Sequence, residues 1–186
     1  MRISNSREGL GPLQLLNAYE TVRLKTSASA LLARSVRSSL GDEMTNVFDV
    51  AAYILEKTGP ITAMKLQKLV YYSQAWSLVW DEEKLFPQRV EAWANGPVAP
   101  ELYRHFRGTF KVSTCGKKGD SSKLTADQFE TVDSVLKYYS DRDPQWLSDL
   151  THSESPWKDA RLGMSPGERG NQVITPAAMA EYYGSL

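Results

Sequence analysis

Residues 62–80, TAMKLQKLVYYSQAWSLVW, decide the fold. Thr62 offers a hydroxyl to the first free backbone N–H groups of a helix, so the spacing predicts a helix over Ala63–Trp80. Leu66, Leu69, Val70, Ser73, Trp76 and Trp80 recur at helical intervals. Tyr71, Tyr72 and Trp76 place aromatic rings on more than one side of it. A helix that is apolar all round belongs in the middle of a domain, so this one is expected to be central.

The flanks read as further helices. Upstream, Val47, Val50, Ala51, Ile54 and Leu55 form an apolar stripe that Gly59-Pro60 stops. Downstream, Lys84-Leu85-Phe86 and Val90-Glu91-Ala92-Trp93 look like short extended pieces, separated by Pro87. Asn95-Gly96 marks a turn that Pro97 stiffens, which predicts a small β-hairpin or ribbon. Pro100 suits the first position of a helix running to about Arg107, where Gly108 ends it. Residues 111–123 are polar and read as an exposed loop. Thr125 and Gln128 form a capping box, with Leu124 and Phe129 as its hydrophobic staple. Asp143-Pro144, Ser155-Pro156 and Thr175-Pro176 each place a capping side chain before a proline, so each is expected to start a short helix. Gly163 to Asn171 reads as a mobile glycine-rich loop. The expectation is a mainly α, compact multi-helix domain over 44–186 with a small β element.

The 186 residues are 41% hydrophobic, enough to build a core. Lys+Arg and Asp+Glu both number 22, so no general attraction to nucleic acid or an acidic membrane follows. Cys115 is the single cysteine, which excludes an internal disulfide and fits a reducing compartment. No apolar run is long enough to span a bilayer, and Arg23, Lys25, Arg34 and Arg37 interrupt any secretory h-region. The chain is read as cytoplasmic. Residues 1–43 differ in composition: they lack tryptophan and carry six basic against four acidic residues. They read as a loosely ordered extension. A docking or targeting segment, with a short basic helix over Ala28–Leu40, and an over-extended translation start ahead of Met44 are the other two readings.

Chemistry is sparse. His105, His152 and Cys115 lack zinc-site spacing, so no metal or cofactor is expected. Cys115 reads as a surface thiol. There is no Gly-x-Ser-x-Gly elbow and no phosphate-cradling glycine loop. Glu91 reads as an outward residue of a short strand. An enzyme would have to draw on Glu91, Asn95, Tyr103 and His105. A nucleic-acid binder would need a basic patch from Lys65, Lys68, Arg104 and Arg107.

Two segments are more specific than packing requires: Met64-Lys65-Leu66-Gln67-Lys68-Leu69-Val70-Tyr71-Tyr72-Ser73-Gln74-Ala75-Trp76, and Glu91-Ala92-Trp93-Ala94-Asn95-Gly96-Pro97-Val98-Ala99-Pro100-Glu101-Leu102-Tyr103. At these residues the chain resembles the Panacea domain family, the antitoxin domain of SocA and of phage-associated GepA-like proteins. The resemblance covers about Thr45 to Tyr183. It implies an antitoxin of a type II toxin–antitoxin pair that neutralises a cognate toxin, encoded nearby, by direct protein binding. SocA itself also delivers its toxin to a protease, and whether this chain does so stays open, as does a homo-oligomer.

Trp, Tyr and basic side chains are enriched where interfaces gain most of their energy. On that ground Lys65, Lys68, Tyr71, Tyr72, Asn95 and Tyr103 are the candidate partner-binding residues, with Tyr72 divided between surface and core. Leu66, Leu69, Trp76 and Trp93 are read as core, and Gly96 and Pro97 as the residues that set the turn.

Overall fold

The computed structural model describes residues 45–186. The extension over 1–43 and its helix lie outside the described residues. Within them the chain is mainly α, with seven α-helices and two small antiparallel sheets.

Helix α1, Val47–Thr58, starts at a capping box in which Asn46 and Asp49 serve each other's backbone N–H groups. It ends at Gly59, whose φ of 70° only glycine adopts without strain. Strand β1, Ile61–Thr62, leads into α2, Ala63–Trp80, which Thr62 caps by accepting from Lys65 N at 3.2 Å. Thirteen of its 18 residues are buried, so α2 is the axis of the domain.

The hairpin pairs β2, Val90–Trp93, with β3, Gly96–Val98, in the register Trp93 to Gly96 and Glu91 to Val98. Helix α3, Pro100–Phe106, follows, then β4, Lys111–Val112, which pairs with β1. The clearest start in the sequence opens α4, Ala126–Tyr139, where Thr125 and Gln128 form the expected capping box. Helices α5, Pro144–Ser153, and α6, Ser155–Ala160, lead to β5, Val173–Ile174, which adds to the free edge of β2. Helix α7, Pro176–Gly184, closes the chain, capped by Thr175. Around α2 pack α1, α4, α5 and α7.

Four local expectations need correction. Lys84–Phe86 is not a strand, because Phe86 gives its backbone N–H and C=O to the Gln74 amide of α2 instead of to a neighbouring strand. Residues 111–123 are not simply an exposed loop: they hold β4 and two 3-10 turns, Gly116–Lys118 and Ser121–Lys123. That segment folds under α1, where Asp120 N donates to Asp49 at 2.8 Å. Cys115 is therefore buried rather than a surface thiol, and burial beside Asp49 pushes its thiol up to about 12. Finally, Ser155 does not cap α6. Glu154 occupies that place and makes no cap, because its carboxylate turns into the core.

The Gly163–Asn171 segment has no regular structure, yet it is held. Arg161, 7% exposed, donates to the carbonyls of Glu168 at 2.8 Å, Ser165 at 3.3 Å and Ala92 at 2.9 Å.

Candidate functional site

The two motif segments are each other's partners. Gln67, buried on α2, accepts from the N–H of Ala99 at 2.8 Å and reaches its carbonyl at 3.5 Å. One residue on, the Lys68 ammonium donates to the carbonyls of Asn95 at 2.7 Å and Pro97 at 3.2 Å. A buried backbone group without a partner is costly, so these bonds fix the whole Asn95–Ala99 turn on the helix. Gly96 meets two demands there. Its φ is 102°, and a Cβ on it would lie 2.9 Å from Lys68 Cε and from Thr151 Oγ1.

Lys68 is thus no surface contact. It is 1% exposed, and desolvation lowers its ammonium to about 7. Tyr71 and Tyr72 are 1% and 0% exposed and leave the list of contacts for the same reason. Tyr72 stacks on Tyr139 at 4.1 Å and donates to Glu154, which also accepts from Tyr183 at 2.6 Å. The Tyr183 and Tyr71 hydroxyls lie 3.2 Å apart. A carboxylate in this aromatic cage is short of water, and desolvation pushes Glu154 up to about 7, opposed in part by the two tyrosine hydroxyls. Lys65 is half-buried, its ammonium on the carbonyl of Ser140 at the end of α4. The basic patch of Lys65, Lys68, Arg104 and Arg107 does not form as such, because Lys68 is buried and the Lys65 ammonium is held on the Ser140 carbonyl.

Asn95 is exposed and Tyr103 is 39% exposed, as a contact role requires. Both line a cleft of about 730 Å³ between the start of α2, the hairpin, α3 and the segment that Arg161 holds. Trp93 and Tyr103 meet edge to face there at 4.7 Å. Leu66, Leu69 and Trp76 are core as expected, whereas Trp93 is only partly covered, its indole forming part of the cleft wall.

Glu91 lines the same cleft and is 3% exposed, which corrects its reading as outward-facing. It is partnered on both sides: Trp93 Nε1 donates to it at 2.8 Å, and Arg89 Nε pairs with it at 2.7 Å. His105 is outside the lining and packs against Phe48 and Phe106. No group of three or more metal-ligating side chains occurs among the described residues.

Sequence reasoning missed Gln67, Gln74 and Glu154 as organisers, and Arg169 as a cleft residue. The two glutamines carried a signal: seven residues apart, they sit on one face of a helix that is otherwise apolar there. Glu154 carried none, since a carboxylate before Ser-Pro reads as a solvated cap.

Among the described residues no helix is long and apolar enough to cross a membrane. No curated protein and no solved structure matches the chain. The family model of the antitoxin SocA-like Panacea domain matches residues 66–158. Its span contains the second motif segment, all of the first but Met64 and Lys65, and the bonds that join them, from the Gln67 clamp to Glu154. The chain belongs to the antitoxin SocA-like Panacea domain family.

Proposed function

We propose that the protein is the antitoxin of a type II pair, acting in the cytoplasm, which neutralises a toxin encoded beside it by binding it directly and catalyses no reaction. The family match carries this reading. The geometry supports a stoichiometric mechanism. Of the four groups a catalyst would draw on, Glu91 is held by Arg89 and Trp93, and His105 lies outside the cleft lining, packed against Phe48 and Phe106. Side chains such as Met64, Tyr103 and Phe110 stand exposed around the cleft, where a macromolecule would cover them.

The test is co-expression with the adjoining reading frame. The expected result is rescue of growth together with co-purification of the two proteins. Persistent toxicity with no complex, or turnover of a small substrate by the purified chain, overturns the reading.

A further inference from the structure

The cleft has a charge that its own walls do not balance. Glu91, its one carboxylate, is paired with Arg89. Arg107 and Arg169 also line it, and neither has an ion-pair partner among the described residues. Arg107 follows α3 directly, and Arg169 belongs to the segment tied down by Arg161, so both are placed by ordered backbone. Between them the walls are apolar, with Met64, Val98, Tyr103 and Phe106.

The width of the apolar surface points to a macromolecule. Phe110 is 82% exposed, and its carbonyl accepts from Ala63 N at 3.0 Å, beside the lining residues Ala63, Met64 and Thr109. A small anion held by two guanidiniums would leave Phe110 and the exposed part of Met64 at the mouth in water. A polypeptide segment laid across the cleft would cover both. Unpaired arginines beside exposed aromatic and methionine side chains are the composition of protein interfaces.

We infer that this cleft is the toxin-docking site, and that it takes an acidic segment of the toxin whose carboxylates meet Arg107 and Arg169 and whose apolar side chain enters between Met64, Tyr103 and Phe106. This rests on the antitoxin reading and adds the place and the chemistry of the contact.

The experiment uses the full chain and, as probe, the purified protein encoded by the adjoining reading frame. Affinity is measured for the wild type, for Arg107→Glu with Arg169→Glu, and for Lys137→Glu with Lys158→Glu. The last pair makes the same charge change at exposed positions outside the cleft lining. The cleft variant is expected to bind at least about tenfold more weakly, with the loss concentrated at low salt, and to melt like the wild type. The control pair is expected to bind within about twofold of the wild type. Equal binding by wild type and cleft variant, or an equal loss in the control, overturns the docking site and leaves the antitoxin reading standing. Absence of any complex with the wild type overturns both. A melting shift with a nucleoside triphosphate that needs both arginines, alongside toxin binding that does not, assigns the cleft to a small anion and likewise overturns the docking site.

Discussion

Lys68 occupies the space that any side chain at position 96 would need: a Cβ on Gly96 would sit 2.9 Å from Lys68 Cε. The two residues lie in different motif segments, and each constrains the other. The lysine needs the turn carbonyls to hold its ammonium, and the turn needs a residue with no side chain where the lysine arrives.

Gly96→Ala is therefore expected to be the most damaging glycine substitution in the hairpin region. It combines a positive φ with a clash against side chains that are themselves fixed, at a cost of about 3 kcal/mol. Gly108→Ala has a similar φ of 83° but nothing within 4 Å of the added methyl, and should cost about 1 kcal/mol. Urea midpoints of the two variants check the ranking.

The glutamine clamps predict a local signature. Gln67→Leu removes the partner of the Ala99 N–H, whose carbonyl keeps Tyr103 N at 3.0 Å, and Gln74→Leu removes both partners of Phe86. Each leaves a buried N–H unpaired, a loss of about 1–3 kcal/mol. Amide exchange should speed up at Ala99 in the first variant and at Phe86 in the second, with little crossover. Exchange that rises equally at both sites would contradict separate clamps.

Two buried ionisable groups give stability an unusual dependence on pH. Glu154 has its folded value raised from 4.5 to about 7, so the folded state holds the extra proton between those values. Its contribution is fully present below pH 4.5 and is lost as pH rises through 7. Lys68 is lowered from 10.5 to about 7, so the unfolded state binds the extra proton between those values. Its contribution is present above pH 10.5 and is lost as pH falls through 7. Together they make neutral pH the least favourable region for this pair. Denaturant titrations at pH 5, 7 and 9 should show Glu154→Gln gaining on the wild type between pH 5 and 7. Lys68→Met should gain on it between pH 9 and 7.

Cys115 offers a simple probe of folding. Burial holds its thiol well above the ordinary range, so the thiolate is scarce at neutral pH. Ellman's reagent should react with the native protein only as fast as the 111–123 segment opens, and at the free-thiol rate in urea. Immediate native labelling would show that the segment does not pack under α1.

The fold was legible where periodicity and caps spoke. The bounds of α2, the Thr125–Gln128 box and the proline-led starts at Asp143 and Thr175 follow from spacing and local hydrogen bonding alone. The site was legible only in part. Lys68 and Tyr72 read as contacts because a lysine or tyrosine on a helix is usually at the surface. Their burial depends on carbonyls 27 to 29 residues away and on a carboxylate 82 residues away, which no local pattern reports. Asn95 and Tyr103 are exposed because turn tips and short amphipathic helices present such residues to solvent regardless of tertiary context.

That division between buried and exposed members of one motif predicts a split in phenotype. Tyr72→Phe removes a hydroxyl that partners Glu154 and should lower stability by about 1 kcal/mol. It should leave toxin neutralisation intact at a temperature where the domain stays folded, since the ring remains stacked on Tyr139 and never reaches solvent. Tyr103→Ala removes an exposed ring of the cleft and should leave the melting temperature within about 2 °C of the wild type, as a surface truncation does. It should nonetheless weaken toxin binding by about tenfold, the usual loss for an aromatic contact at an interface. Calorimetry and growth rescue, run on the same pair, separate the two effects. If Tyr72→Phe abolished neutralisation while fully folded, or Tyr103→Ala had no effect on it, the motif's buried half rather than its exposed half would have to face the toxin, and the cleft would lose its role.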